Sequence, residues 1–244
     1  MLRRILFTSL LAVSASGVAA PAALLLGGCP GGDDAGPQGD AGPDVVVIDA
    51  PPSVCDAGFL GDPSKEPIVE LRALKTDGTD VPLNDGDDLA VIFPPQGGRV
   101  AFVGVRAINV DGCGIQLTGA LRDTTTAQIR ADGRTLNLDR EPDGWGTSGR
   151  GTTAKIEESA LIGNYSNIPL CPNQWASTNI YDETFELEVL LQDRGKRQVS
   201  KKIKVTPRCS EPGSKEVTCR CLCKKDYALG EACGEDAGAD GGKL

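Results

Sequence analysis

Between Pro67 and Pro207 the chain is a series of short β-branched and apolar runs, separated by turn signals, Asp-Gly, Pro-Pro and Gly-Gly among them, every eight to fifteen residues. Such punctuation leaves no room for a long helix and predicts strands joined by tight turns. Ile68–Leu74 alternates and then meets Asp77-Gly78, and Leu89–Phe93 is closed by Pro94-Pro95 and Gly97-Gly98. Val100–Val110 is the longest run, with Arg106 expected to face outward, and it ends at Asp111-Gly112. Ile115–Leu121 follows, so a hairpin across that turn is expected. Gln128–Arg130 and Thr135–Leu138 flank Asp132-Gly133, a second hairpin signal. Phe185–Leu191 and Val199–Val205 enclose Asp193–Lys196, and Lys201, Lys202 and Lys204 mark the last run as an edge or solvent-facing strand. Only Thr153–Ile162 comes close to a helical period.

The expected fold is therefore all-β, an antiparallel β-sandwich over residues 66–208. The final hairpin, running out at Thr206-Pro207, resembles the last two strands of bacterial immunoglobulin-like or fibronectin-like domains. That resemblance implies two facing sheets and carries no functional motif. The tryptophan and inter-sheet cysteine pair of antibody domains do not occur here at matching spacing.

The first 29 residues have the parts of an export signal. Arg3 and Arg4 give a positive start, Ile5–Leu26 an apolar stretch, and Leu26-Gly27-Gly28-Cys29 resembles the lipobox of bacterial lipoproteins. The resemblance implies a signal peptide over 1–28, cleavage between Gly28 and Cys29, and a diacylglyceryl (palmitate-bearing) anchor on the Cys29 thiol. Pro21 and the small polar run Ser14–Gly17 suit a signal better than a membrane span. An ordinary basic n-region accounts for the arginine pair, although twin-arginine export stays open. Pro30, rather than aspartate, follows the lipid site, which favours the outer membrane or cell surface over the inner membrane.

Residues 29–65 read as a flexible acidic linker, with seven aspartates among Gly, Ala and Pro between Gly31 and Lys65. Such a segment buries too little apolar surface to offset its ordering entropy. At roughly 3 Å per extended residue it spans many tens of ångströms. Val45–Ile48 is its one apolar island, either a strand added to the domain or a loose patch. The spacer resembles those of myxobacterial surface lipoproteins in composition. Residues 234–244 read as a disordered C-terminus.

Nine cysteines are present; with Cys29 assigned to lipid, Cys55, Cys113, Cys171, Cys209, Cys219, Cys221, Cys223 and Cys233 remain. An even number in an oxidising compartment implies disulfides. Cys113 and Cys171 lie inside the domain and are expected to pair. The rest concentrate in a small disulfide-rich tail, 209–233, whose Cys221–Cys233 stretch resembles the second half of an epidermal-growth-factor-like module. Lacking an apolar core, such a knob needs its bridges to be ordered. Thiolate metal binding at Cys219-X-Cys221-X-Cys223 is the competing reading, and oxidation is favoured over it.

Histidine is absent, which removes the commonest general base and metal ligand together. Aromatics are 4% and net charge is −9, so base stacking and a phosphate-binding stripe are missing and no nucleic-acid partner is expected. No catalytic residue, cofactor or metal is assigned. The most site-like cluster is Asp139, Glu141 and Asp143 around Trp145, read first as a solvated acidic loop with the indole packed back on the sheet. Asp77–Asp80 and Asn84–Asp88 gather oxygens without the spacing of a helix-loop-helix calcium site, and turn chemistry explains them. The function expected is a non-enzymatic, lipid-tethered envelope protein, held to the membrane by its lipid, that binds or scaffolds an envelope or extracellular protein. The alternatives are a carboxylate hydrolase of the envelope and a metal-binding tail.

Overall fold

The computed structural model describes residues 55–94, 97–149, 163–173 and 178–234. The signal segment, Cys29, Val45–Ile48, Thr153–Ile162 and the C-terminal residues from 235 lie outside them. The strands are β1 (Phe59–Leu60), β2 (Ile68–Leu74), β3 (Asp80–Pro82), β4 (Asp88–Ala90), β5 (Arg99–Ile108), β6 (Val110–Asp111) and β7 (Ile115–Asp123). They continue with β8 (Ile129–Leu136), β9 (Asp139–Arg140), β10 (Gly146–Thr147), β11 (Ser166–Cys171), β12 (Phe185–Gln192) and β13 (Gln198–Arg208), before helix α1 (Ser214–Cys223).

The fold is an all-β sandwich. One sheet runs β3-β2-β5-β10-β9, with β11 also paired to β5; the other runs β4-β13-β12-β7-β8. Pairing is antiparallel except between β4 and β13. Period-2 alternation places Ile115, Leu117 and Leu121 of β7 and Leu187, Val189 and Leu191 of β12 in the interior, all at most 1% exposed. They meet Ala101, Val103, Val105 and Ala107 of β5 in a single core. Each large apolar side chain removed from water there contributes roughly 1.5–3 kcal/mol. β5 is buried on both faces, because Phe102 on its other side packs with Leu74, Ile92 and Tyr165.

The β2–β3 and β12–β13 hairpins form as the turn signals indicate. Along Gln198–Val205, where β13 carries Lys201, Lys202 and Lys204, its outer side pairs with no strand among the described residues, since β4 pairs only with Thr206–Arg208. The hairpin expected across Asp111-Gly112 does not form. β5 and β7 belong to different sheets, and the chain switches between them through Asn109, at φ 64°, and the short β6. Asp132-Gly133 is likewise not a turn. β8 runs straight through it, from Arg122 opposite Ile129 to Ile115 opposite Leu136. An unbroken ladder satisfies more backbone groups than two short strands flanking a turn.

The expected linker also ends earlier than Lys65. From Cys55 the chain packs on the sandwich, with Leu60 fully buried and β1 paired to β6. Nor is the tail a separate knob. Its Cys219–Cys223 stretch is helical rather than a growth-factor-like turn, and Cys209, Cys219 and Cys223 join the main core.

Candidate functional site

β8 is the outer strand of its sheet and β11 lies at the margin of the other, so the two face each other across the rim of the sandwich. Midway they are tied together. Asn167 N donates to Asp132 Oδ2 at 2.8 Å, and Ser166 Oγ donates to Asp132 O at 2.8 Å. Beyond that tie a groove of about 560 Å³ opens between Ile129, Arg130, Pro169, Leu170 and Pro172. Its size falls within the roughly 300–1,000 Å³ of ordinary ligand clefts.

Alternation along β8 puts Arg130 in the same row as buried Leu136, so its side chain turns toward the interior instead of the solvent. Nη2 donates to Asn173 Oδ1 at 2.7 Å. Asn173 is fully buried and held from behind. Its Nδ2 donates to Thr178 O at 2.7 Å, and its backbone N donates to Leu222 O at 2.9 Å. The bridge Cys171–Cys223 brings the end of α1 to this point. Burial holds the Arg130 guanidinium below its usual range, with Asp123 opposing. Asp123 is itself occupied: Thr125 N and Thr126 N donate to Oδ1, and Thr178 Oγ1 to Oδ2. Arg130 thus forms no ion pair among the described residues, whereas Arg72 pairs with Asp80 and Arg208 with Asp88 and Asp182. Splitting β8 at Asp132-Gly133 hides this residue from the sequence pattern; reading it as one strand aligns Arg130 with Leu136.

The acidic cluster is organised differently. Glu141, Asp143 and Glu70 all converge on Arg106, whose guanidinium lies 4.5 Å from the Trp145 ring centre. These contacts, with the Glu141 hydrogen bond foremost, push the Arg106 pKa upward. Asp139 sits opposite Thr147 in the β9–β10 ladder and shares no such contact with Arg106. The carboxylates therefore face a cation of their own chain and do not line the groove between β8 and β11.

The aspartates proposed for turns serve backbone N–H groups. Thr79 N donates to Asp77 Oδ1, Asn84 N to Asp87 Oδ2, and Lys204 N to Asp85 Oδ1. Asp85 thereby covers part of the free edge of β13.

The bridges are Cys55–Cys113, Cys171–Cys223, Cys209–Cys219 and Cys221–Cys233. The expected Cys113–Cys171 pair is incorrect. Cys113 lies between β6 and β7 and ties down the incoming chain, while Cys171 ends β11 and ties down α1. The Sγ atoms of Cys209, Cys219 and Cys223 lie within 4.8 Å of one another, but all three sulfurs are bridged and carry no thiolate charge. Two further contacts bind the tail to the sandwich. Buried Arg99 of β5 pairs with Glu211, and Asp182 divides its oxygens between Arg208 at 2.6 Å and Arg220 at 2.7 Å.

No protein-family model matches the chain, and a search of curated proteins finds no match.

Proposed function

We propose that this is a lipid-anchored protein of the cell envelope, outer-membrane or surface-exposed, whose sandwich binds or scaffolds an envelope or extracellular protein without catalysing a reaction. Cysteine accounting carries the reading. Four bridges absorb eight of the nine cysteines, and the ninth is Cys29, at the end of the lipobox-like sequence. Dense bridging fits an oxidising compartment. The engagement of Glu141 and Asp143 by Arg106 supports a binding role over a carboxylate hydrolase, which needs two carboxylates open to one substrate.

The test is metabolic labelling with palmitate in cells making the full chain. Label on the wild type that is lost in Cys29→Ser, with precursor accumulating under globomycin, supports the anchor. Labelling that survives the substitution overturns it. Crosslinking on intact cells, followed by capture of the chain, then identifies what the sandwich contacts.

A further inference from the structure

The groove between β8 and β11 has one cation, an apolar lining and one closed end. We infer that it is a binding site for the C-terminal carboxylate of an extended apolar peptide, with Arg130 as the carboxylate anchor. The inference rests on the reading of the sandwich as a binding module and names the chemistry it recognises.

Charge comes first. A guanidinium presents five N–H donors, and Arg130 spends one on a neutral amide oxygen. The acid that acts on it, Asp123, already accepts from two backbone N–H groups and a hydroxyl. A cation turned inward with spare donors is stabilised by an incoming anion far more than a solvated surface arginine is. A planar carboxylate fits the guanidinium fork with two parallel hydrogen bonds.

Shape then selects among carboxylates. The Asp132 contacts to Ser166 and Asn167 join the two strands and close the inner end of the groove. A continuous peptide segment must leave where it entered, but a chain end can stop there. A C-terminal carboxylate reaches Arg130 by inserting no more than the last few residues, while the exposed Ile129, Pro169 and Pro172 offer them an apolar surface. On its outer side β8 is paired to no strand among the described residues, so main-chain groups of an extended guest have partners as in strand addition.

The rear wall explains why the cysteine-rich tail is built as it is. Asn173, which contacts Arg130, is itself held by Leu222 O and Thr178 O, and Cys171–Cys223 fixes that end of α1 beside β11. Asn173 and the bridge are positioning elements; Arg130 is the group that touches the ligand.

The test uses the full chain with its disulfides intact and a fluorescein-labelled Ala-Val-Val-Val peptide, either as the free acid or as the C-terminal amide, read by fluorescence anisotropy. The acid is expected to bind at least about tenfold more tightly than the amide, because only the acid makes charge-assisted hydrogen bonds to the guanidinium. Arg130→Gln abolishes that difference, and Gln128→Glu, which adds a negative charge at the mouth, weakens the acid selectively. Near-UV circular dichroism checks that both variants are folded, and Gln128→Glu leaves Arg130 and Asn173 untouched. Equal binding of acid and amide, binding indifferent to Arg130→Gln, or no binding of the acid overturns the inference. An amide peptide with an internal aspartate binding as tightly as the acid also overturns it, because the site then reads a side chain. Failure here leaves Cys29 labelling unaffected, and failure of the labelling leaves this comparison intact.

Discussion

Asn173 Oδ1 accepts a 2.7 Å hydrogen bond from Arg130 Nη2, and this contact is where the tail and the sandwich margin become one structure. Asn173 follows Cys171 by two residues, and Cys171 is bonded to the last residue of α1. A polar side chain that is fully buried keeps its position only if its donors and acceptors are met, and here the partners come from β8, Thr178 and α1.

Removing the Cys171–Cys223 bridge is expected to lower stability by about 2–4 kcal/mol. The bridged residues are 52 apart, for which chain entropy alone predicts about 4 kcal/mol, and relaxation of the reduced chain lowers the measured value. Urea unfolding of Cys171→Ser/Cys223→Ser against the wild type measures it. A change below about 1 kcal/mol means that the tail is held by Arg99–Glu211 and the Asp182 contacts instead.

Asp182 titrates in the opposite sense from a buried acid. Hydrogen bonds from Arg208 and then Arg220 hold its carboxyl below the usual 3.8. A group depressed on folding adds stability that is present above its unfolded value and is lost as pH falls through the folded one. The effect is modest, under about 1 kcal/mol per exposed pair. Asp182→Asn is therefore expected to lower Tm slightly at neutral pH, with the difference vanishing well below pH 3.8 and shrinking in high salt. A deficit that is constant across pH refutes the electrostatic account.

Asp80 supplies the contrast. Burial raises its pKa, with Arg72 partly restoring the charged form through contacts of 2.7 and 2.8 Å. A carboxyl raised on folding holds a proton that the unfolded chain has released, so its contribution weakens as pH rises from 3.8 through the folded value. Arg72→Met leaves that carboxyl buried without its cation and extends the window upward. The expected loss is about 3 kcal/mol at neutral pH and much less in acid. Equal losses at the two pH values count against burial of the charge as the cause.

Much of this fold was readable from residue order, because alternation and turn residues are local physics. β2, β12, β13 and the lysine-bearing edge all follow from patterns within a dozen residues. What escaped depends on long-range pairing. Asp-Gly at 111–112 and at 132–133 looks alike in sequence, yet one lies at a crossing between sheets and the other inside an unbroken strand. Period-2 patterning cannot tell which sheet a strand joins, so β5 and β7 were expected to be neighbours. The bridges follow the same rule: Cys55–Cys113 and Cys171–Cys223 join segments brought close only by the completed sandwich. The groove was hidden for this reason as well, since Arg130 and Asn173 are 43 residues apart. Asp77 and Asp87 were legible because their partners are two or three residues away, whereas the Asp85 contact with Lys204, 119 residues on, was not.

Those turn carboxylates lead to the last expectation, that millimolar calcium leaves Tm unmoved. A calcium site needs six to eight oxygens at about 2.3–2.6 Å, with several carboxylates turned toward one point. Here Asp77 accepts from Thr79 N, Asp87 from Asn84 N and Asp85 from Lys204 N, so one oxygen of each is turned toward backbone. Asp85 has the largest structural task, because its acceptor meets an N–H on the free side of β13. Recruiting it to a cation exposes that edge and gives back the stability gained on binding. Asp85→Ala is accordingly expected to lower Tm by an amount independent of calcium, as loss of one hydrogen bond of about 1 kcal/mol implies. A rise in wild-type Tm with calcium, abolished in Asp85→Ala, is the outcome that assigns these loops to metal instead of to the backbone.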